Sequence, residues 1–183
     1  MDSSSNGRGN VEQRLRRVED RLELGELISR YGVAVDDRDF DSLKAMYVEE
    51  SFFNGFHGRD AIMDFYRERG ATYGPTYHYP HSWHFKFESD DMASGVVNAH
   101  AELSLNGKTL WLGIRYLDRY ERVEGEWRFK ARDTKFRYVL PFEDMATAYG
   151  DTLRRRWPGA EMQPADIPDK VPTFIAYKAG LKG

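Results

Sequence analysis

The stretch "VNAHAELSLNGKTLWLGIRYLDRYERV", residues 97–123, determines the fold. Its first nine residues alternate between apolar and polar, which is the period of a β-strand with one buried face. Asn106 and Gly107 then form a pair typical of a two-residue hairpin turn. The chain returns as a long strand, and "EGEW" turns it into a last one, "WRFKARDTKFRYVL". The sequence therefore predicts a long antiparallel sheet in the second half of the chain.

The first half of the chain has the longer period of helices. Leu24, Leu27, Ile28, Tyr31 and Val35 share one side of a helix that should end near "DDRD". Ahead of them, an apolar seam with steps of 4, 3 and 4 follows Asn10, which is placed as an N-cap; the seam consists of Val11, Leu15, Val18 and Leu22. Two further helices, "DFDSLKAMY" and "GRDAIMDFYRERG", flank a strand at "SFFNGF".

Helices followed by long antiparallel strands predict an α+β domain, with helices packed on a curved sheet that encloses a pocket. Small side chains on its inward face, Ala99 and Ala101, would leave room for a ligand. We expect a disordered tail at 1–10, the cone domain at 11–140, and a C-terminal helix and tail at 141–183, with the helix in "FEDMATAYGDTLRRRW".

Composition excludes several classes of protein. At 183 residues the chain has the length of one domain, and a net charge of −3 without a basic block argues against a nucleic-acid partner. No apolar stretch approaches the roughly 18–20 residues that span a bilayer, so no membrane partner is expected. The polar start lacks the apolar core of a secretory signal, and the absence of cysteine excludes thiolate sites. We expect a cytoplasmic protein.

Three histidines lie in "HYPHSWHFKF", residues 78–87. On a strand, positions three apart point to opposite faces, and Pro80 argues against a helix, so the spacing predicts no metal site. Alternation over residues 79–88 places His81 on the inward face with Trp83 and Phe85. His81 is therefore either a hydrogen-bonded core histidine or a base, whereas His78 and His84 are interpreted as solvated or loop residues.

The order of "RLELGELISRYGVAVDDRDFDSL", "GRDAIMDFY", a histidine-bearing strand and "YLDRYERVEGEWRF" resembles the SnoaL-like branch of the nuclear transport factor 2-like superfamily. The likeness covers roughly residues 11–140. Within the superfamily, the chain is most similar to the group that contains bile-acid 7α-dehydratase, scytalone dehydratase and hexachlorocyclohexane dehydrochlorinase.

This resemblance implies an Asp–His pair inside the cone. The family aspartate after "AV" matches Asp36, the residue five positions earlier matches Tyr31, and the family histidine falls on His81. A cavity arginine matches Arg132, with Arg137 in reserve. Because Trp127 and Phe129 alternate out of phase with Arg132, Arg132 needs a β-bulge to turn inward.

The resemblance further implies a cofactor-independent lyase. The high aromatic content, 14% of the residues, indicates a small hydrophobic substrate, polycyclic compounds included. His81 would remove a proton, Asp36 would orient His81, Tyr31 would donate to the leaving group, and Arg132 would stabilise negative charge. An isomerase or cyclase, or a non-catalytic binding or oxygenase β-subunit-like cone, are the alternatives. We expect no metal or other cofactor. We expect the protein to form a homo-oligomer, with a trimer preferred over a dimer. The expected pocket walls are Tyr47, Trp83, Phe85, Ala99, Ala101, Thr134 and Phe136.

Overall fold

The computed structural model describes residues 11–181, in which helices cover one face of a six-stranded sheet. The predicted α+β cone is confirmed. The helices and strands are α1 (Val11–Asp36), α2 (Phe40–Ala45), β1 (Tyr47–Phe53), β2 (Phe56–His57), α3 (Arg59–Thr72), β3 (Thr76–Phe87), β4 (Met92–Leu105), β5 (Lys108–Val123), β6 (Glu126–Pro141), α4 (Met145–Ala148) and α5 (Pro172–Gly180).

The sheet has the order β2-β1-β6-β5-β4-β3, and only β1 and β6 run parallel. The predicted hairpin joins β4 to β5, with Asn106 and Gly107 at φ values of 52° and 74°, the positive values that a type I′ turn requires. The inner faces of β4, β5 and β6 carry much of the core. α1 packs over β3 and β6, and α3 packs over β1 and β2. Asn10, the proposed cap of α1, lies outside the described residues.

A β-bulge interrupts the pairing of β3 with β4 and changes which side chains of β3 point inward. Before the bulge, His78 pairs with Ala101 and Pro80 with Ala99; after it, Trp83 pairs with Val97. Residues directly opposite each other in an antiparallel pair share a face. The inward positions of β3 are therefore even up to Pro80 and odd from Trp83, so the prediction of one unbroken alternation over 79–88 was wrong.

A second bulge lies in β6, where Phe129 pairs with Tyr120 but Ala131 pairs with Arg119. The extra residue reverses the alternation, so Arg132 pairs with the buried Asp118 and points inward. This is the bulge that the sequence required for Arg132. A third irregularity near Gly113 leaves Arg137 on the outer face, where it binds Asn98.

α1 has two different faces. Its buried stripe includes the predicted Leu24, Leu27 and Ile28, and Asp20 continues it toward the N-terminus. Asp20 is 2% exposed and accepts hydrogen bonds from Arg122 and from the indole of Trp127. The apolar seam lies on the other side of the helix and is exposed, so it does not pack on the sheet of its own chain.

The C-terminal extension covers the part of β6 that the short β1 leaves open. Arg155 pairs with Val139, and the Phe136 amide donates to Asp166. The helix predicted in "FEDMATAYGDTLRRRW" was wrong in extent: a 3-10 turn (Phe142–Asp144) and the four residues of α4 are followed by irregular chain. The extension instead places Trp157 against Phe136.

Deleting His81 should destabilise the domain strongly, because loss of the bulge residue moves either Trp83 and Phe85 or Thr76 and His78 to the wrong face. We expect a loss of more than about 4 kcal/mol in the free energy of unfolding, measured in urea. The substitution His81→Ala keeps the residue count and removes only an exposed ring, so it should cost no more than about 0.5 kcal/mol. Equal effects of the two changes would contradict the role of the bulge.

Candidate active site

Asp36, the last residue of α1, binds the beginning of β3 through both carboxylate oxygens. Its Oδ2 accepts from the backbone N–H of His78 (2.8 Å), and its Oδ1 accepts from Thr76 Oγ1 (2.9 Å). His78 Nδ1 lies 2.7 Å from the same Oδ1. Both side chains are 17% exposed. The predicted aspartate thus has a histidine partner, but that partner is His78.

The pairing of Asp36 with His81 was wrong. His81 is the bulge residue, and its exposed ring stacks on His100 on the outer face of the sheet, with Nε2 and Nδ1 2.5 Å apart. Burial and the nearby His81 lower the pKa of His100. The interpretation of His78 as solvated was wrong for the same reason, since the bulge brings position 78 inward. His84 is exposed, as expected.

His78 lines a cavity of about 520 Å³ between the helices and the inner face of the sheet. This is within the range of roughly 300–1,000 Å³ typical of small-molecule sites. Its walls are mainly apolar and aromatic, and they include Phe65 of α3, Leu112 of β5 and Trp157 of the extension. Asp36 is not a lining residue; it stands behind His78.

The expected pocket walls are only partly in place. Thr134 and Phe136 line the cavity, which confirms these two positions. The other five residues do not line it: Tyr47, Trp83, Phe85, Ala99 and Ala101. Trp83 packs beside Gly25 of α1, and Phe85, Ala99 and Ala101 are buried in the core. α1 therefore occupies the part of the cone that Ala99 and Ala101 were expected to leave open for a ligand.

A group of buried tyrosines borders His78. Tyr31 lines the cavity, and its ring stands edge-on to the His78 ring at 6.2 Å between centroids. Its hydroxyl is 2.9 Å from that of Tyr66, which in turn is 3.4 Å from the hydroxyl of Tyr47. Burial, with the neighbouring tyrosines, raises the pKa of Tyr66, so this hydroxyl stays protonated at neutral pH.

Arg132 faces inward but does not reach the cavity surface. Its guanidinium forms two hydrogen bonds with Asp118, at 2.8 and 2.7 Å, and both side chains are fully buried. It lies 4.1 and 4.2 Å from the ring centroids of Tyr31 and Tyr116, which do line the cavity. Burial alone would lower the pKa of Arg132, but the Asp118 carboxylate raises it, so the ion pair is maintained.

Sequence reasoning missed His78, Thr76, Arg38 and Trp157 as members of the site. One signal for His78 was available: proline within a strand is confined to edges, strand starts and bulges, so Pro80 marked the place where the alternation changes. Nothing in the sequence pattern indicated Trp157, because it reaches the cavity through irregular chain.

Comparison with known proteins agrees with this architecture. The SnoaL-like domain family matches residues 16–133. The chain belongs to the SnoaL-like domain family. No curated protein sequence matches this SnoaL-like chain.

Three solved structures illustrate the shared fold of this SnoaL-like protein. One, assigned as a scytalone dehydratase of Novosphingobium aromaticivorans, has a TM-score of 0.66 and 20% identity over 69% of this chain and 90% of its own. A type 2 hexachlorocyclohexane dehydrochlorinase has a TM-score of 0.67 and 21% identity over 80% and 99%. An NTF2-like protein with a cystatin-like fold from N. aromaticivorans has a TM-score of 0.55 and 26% identity over 72% and 90%.

Two features are absent from the described residues, 11–181. No helix among them is long and apolar enough to cross a membrane. Within the same range, no group of three or more His, Cys, Asp or Glu is arranged to hold a metal ion.

Removing one partner of the buried Arg132–Asp118 pair should destabilise the SnoaL-like domain by about 3–5 kcal/mol, because the other charge is left without its counter-ion. Arg132→Met and Asp118→Asn test this by urea unfolding. Lys135→Met is the control, since Lys135 pairs with Asp133 at the surface of the same strand and should change stability by at most about 1 kcal/mol. A loss of under 1 kcal/mol for Arg132→Met would contradict the assignment.

Proposed function

We propose that this SnoaL-like protein is a cofactor-independent lyase that eliminates water or halide from a hydrophobic substrate, with His78 as the base. The observation that carries the proposal is the contact between Asp36 and His78 Nδ1. An ionised carboxylate can only accept hydrogen bonds, so Nδ1 carries the proton of the neutral ring. Nε2 is then left with a free lone pair on a ring that lines the cavity, and a positioned imidazole of this kind is suited to proton abstraction.

Each neighbour of His78 has a role in this proposal. Asp36 fixes the tautomer and orientation of His78 and stabilises the imidazolium that forms when the base takes a proton. Tyr31, whose hydroxyl is hydrogen-bonded to Tyr66, is the donor to the departing oxygen or halide. The electron pair of the broken C–H bond forms the new double bond, and the C–O or C–halogen bond breaks with its electron pair on the leaving group. A departing hydroxyl takes a proton from Tyr31 and leaves as water, whereas a halide leaves as the anion, to which the Tyr31 hydroxyl donates a hydrogen bond.

Arg132 has an indirect role in the proposal. The rings of Tyr31 and Tyr116, which line the cavity, lie over its guanidinium, and neither Arg132 nor Asp118 is a lining residue. Arg132 therefore supports Tyr31 and Tyr116 from behind rather than contacting the substrate. The reserve candidate, Arg137, lies on the outer face and has no place in this reaction.

An isomerase or cyclase is the second candidate, because both reactions begin with the same proton abstraction. Product analysis separates them: elimination releases water or halide and lowers the mass of the organic product, whereas isomerisation and cyclisation leave the mass unchanged. A non-catalytic binding cone would have no need of a tautomer-fixing carboxylate behind its histidine. The cytoplasmic location and the homo-oligomer expected from the sequence stay predictions.

Activity should depend on His78 and not on His81. The purified protein would be incubated with a panel of hydrophobic β-hydroxy and β-halo carbonyl compounds, and products would be followed by mass spectrometry. His78→Gln should lower kcat/KM by about 10²–10⁴-fold, the usual contribution of a general base. His81→Gln, the matched control three residues away on the outer face, should retain activity within about twofold. Equal losses would contradict the proposed base.

The substitution Asp36→Asn tests whether the carboxylate fixes the tautomer of His78. The His78 N–H and Nδ1 bind different oxygens of Asp36, and an amide replaces one of these oxygens with an NH2 donor, so it cannot accept from both groups in place. If its oxygen keeps the backbone bond, Nδ1 must become the acceptor, and the proton moves to Nε2. The variant should stay folded and lose activity to a similar extent as His78→Gln; full activity would exclude the carboxylate from the mechanism.

A further inference from the structure

The described part of the cavity lining carries positive groups and no negative ones. Arg38 and Arg69 line the cavity, and no aspartate or glutamate does so within residues 11–181. The rest of the wall is apolar or carries neutral hydroxyl and amide groups, apart from His78. The ionic side chains that this lining presents to a ligand are therefore positive, which favours anionic ligands.

The two arginines differ in how their guanidinium groups are used. Arg38 donates to backbone oxygens of Asp36 and Gly74 and to Thr76 Oγ1, among others, so its hydrogen-bonding capacity is used within the fold. Arg69 lies on the last turn of α3 and is exposed, with its guanidinium over the rings of Phe65 and Tyr73. In the described part of the chain, no carboxylate forms an ion pair with Arg69. Its neighbour Arg67 does have one, with Asp64.

We propose that the substrate is an apolar molecule with one anionic oxygen group, and that Arg69 binds this group at the mouth of the cavity. This inference rests on the proposed function, since it names the substrate class of the same site. The apolar body of the substrate then lies along Phe136 and Leu112, in reach of His78. A planar guanidinium held over aromatic rings presents its N–H groups in a fork that fits a carboxylate or a phosphate.

Binding of non-reactive probes tests the proposal without catalysis. The probes are 2-naphthoate, 2-naphthyl phosphate and the neutral 2-naphthalenemethanol, titrated by calorimetry into the wild-type protein, Arg69→Gln and Arg67→Gln. We expect wild type to bind at least one anion more tightly than the alcohol, and Arg69→Gln to lose that affinity on the order of tenfold. Arg67→Gln should bind as wild type does. The two anions distinguish a carboxylate from a phosphate substrate.

Three outcomes would overturn the anionic substrate: no anion binding to wild type at millimolar concentration, equal binding of the alcohol and the anions, or an unchanged affinity in Arg69→Gln. His78→Gln should bind the probes normally. The activity of His78→Gln therefore tests the lyase proposal, whereas these titrations test only the anionic substrate.

A second inference comes from the outward face of α1. The seam residues Val11, Leu15, Val18 and Leu22 are 72%, 56%, 54% and 64% exposed. Val11, Leu15 and Val18 line a shallow groove together with Arg14, Arg17 and Arg21. The seam is on the side of the helix opposite the stripe that is buried against the sheet. The spacing of the seam residues is that of positions a and d of a heptad, with Leu15 and Leu22 at a.

The charges beside this seam identify its partner as a second copy in parallel orientation. With Leu15 at position a, Arg14 and Arg21 occupy g, and Glu19 and Glu26 occupy e; all four are exposed. In a parallel pair, g meets the e position five residues further on in the other helix, which joins Arg14 to Glu19 and Arg21 to Glu26 of the second copy. In an antiparallel pair, g meets g and e meets e, so like charges would face each other. We infer that two copies associate through this seam as a parallel helix pair.

Light scattering of the full chain tests the pairing. Leu15→Glu should halve the mass measured for wild type, whereas Gln13→Glu, at an exposed position on the opposite face of the same helix, should leave it unchanged. Since the chain has no cysteine, Leu22→Cys reports orientation: a parallel pair brings the two thiols together, so a disulfide-linked dimer should form under mild oxidation. Gln13→Cys, on the opposite face of the helix, is the control. A monomeric wild type, an unchanged mass in Leu15→Glu, or equal cross-linking of both cysteine variants would overturn the inference.

Discussion

The hydrogen bonds of the Asp36 carboxylate hold the site together, because they join the end of α1 to the first residues of β3. A carboxylate at the C-terminal end of a helix is electrostatically unfavourable, since it lies near the negative end of the helix dipole. Three donors from β3 offset this cost. Arg38 offsets it further, because its guanidinium binds the carbonyl oxygens of Val35 and Asp36, and so places a positive charge on the helix end. Arg38 adopts φ 60°, a value at which the chain can turn back toward its own helix.

The fold could be predicted from the sequence because it depends on patterns several residues long. The Asn106–Gly107 turn and the alternation in β4 required a hairpin, and the stripe from Leu24 to Tyr31 required a helix with one buried side. The histidine could not be predicted in the same way. One extra residue in β3 reverses every later side chain, so alternation counted from the aromatic end of the strand gave His81 instead of His78. The same kind of evidence succeeded for Arg132, where the conflict of phase with Phe129 indicated the bulge.

The aromatic residues that stood out in the composition have two roles that sequence alone does not separate. Some form the core in the ordinary sense, as Phe85 and Tyr120 do. Others surround charge: the Arg132 guanidinium lies among the rings of Tyr31, Tyr116 and Phe129, with Asp118 as its counter-ion. Such a buried ion pair is weak evidence for stability, because well-packed apolar residues can replace it at no loss. The pair does place a positive charge 4.1 and 4.2 Å from the ring centroids of Tyr31 and Tyr116, which line the cavity.

The arrangement of charges around the cavity favours the chemistry proposed for it. Asp36 is separated from the lining by His78, and Arg38 is close to both, so the negative charge that fixes the tautomer is not presented to the ligand. Removal of a proton from carbon leaves negative charge on the substrate, and this charge would form in surroundings whose exposed ionic groups are arginines. A carboxylate base at the position of His78 would lack this advantage, because it would add its own charge to the cavity before the reaction and lose it during proton transfer. A neutral imidazole backed by a hidden carboxylate starts without charge and becomes positive next to the developing anion, so the attraction increases as the proton moves.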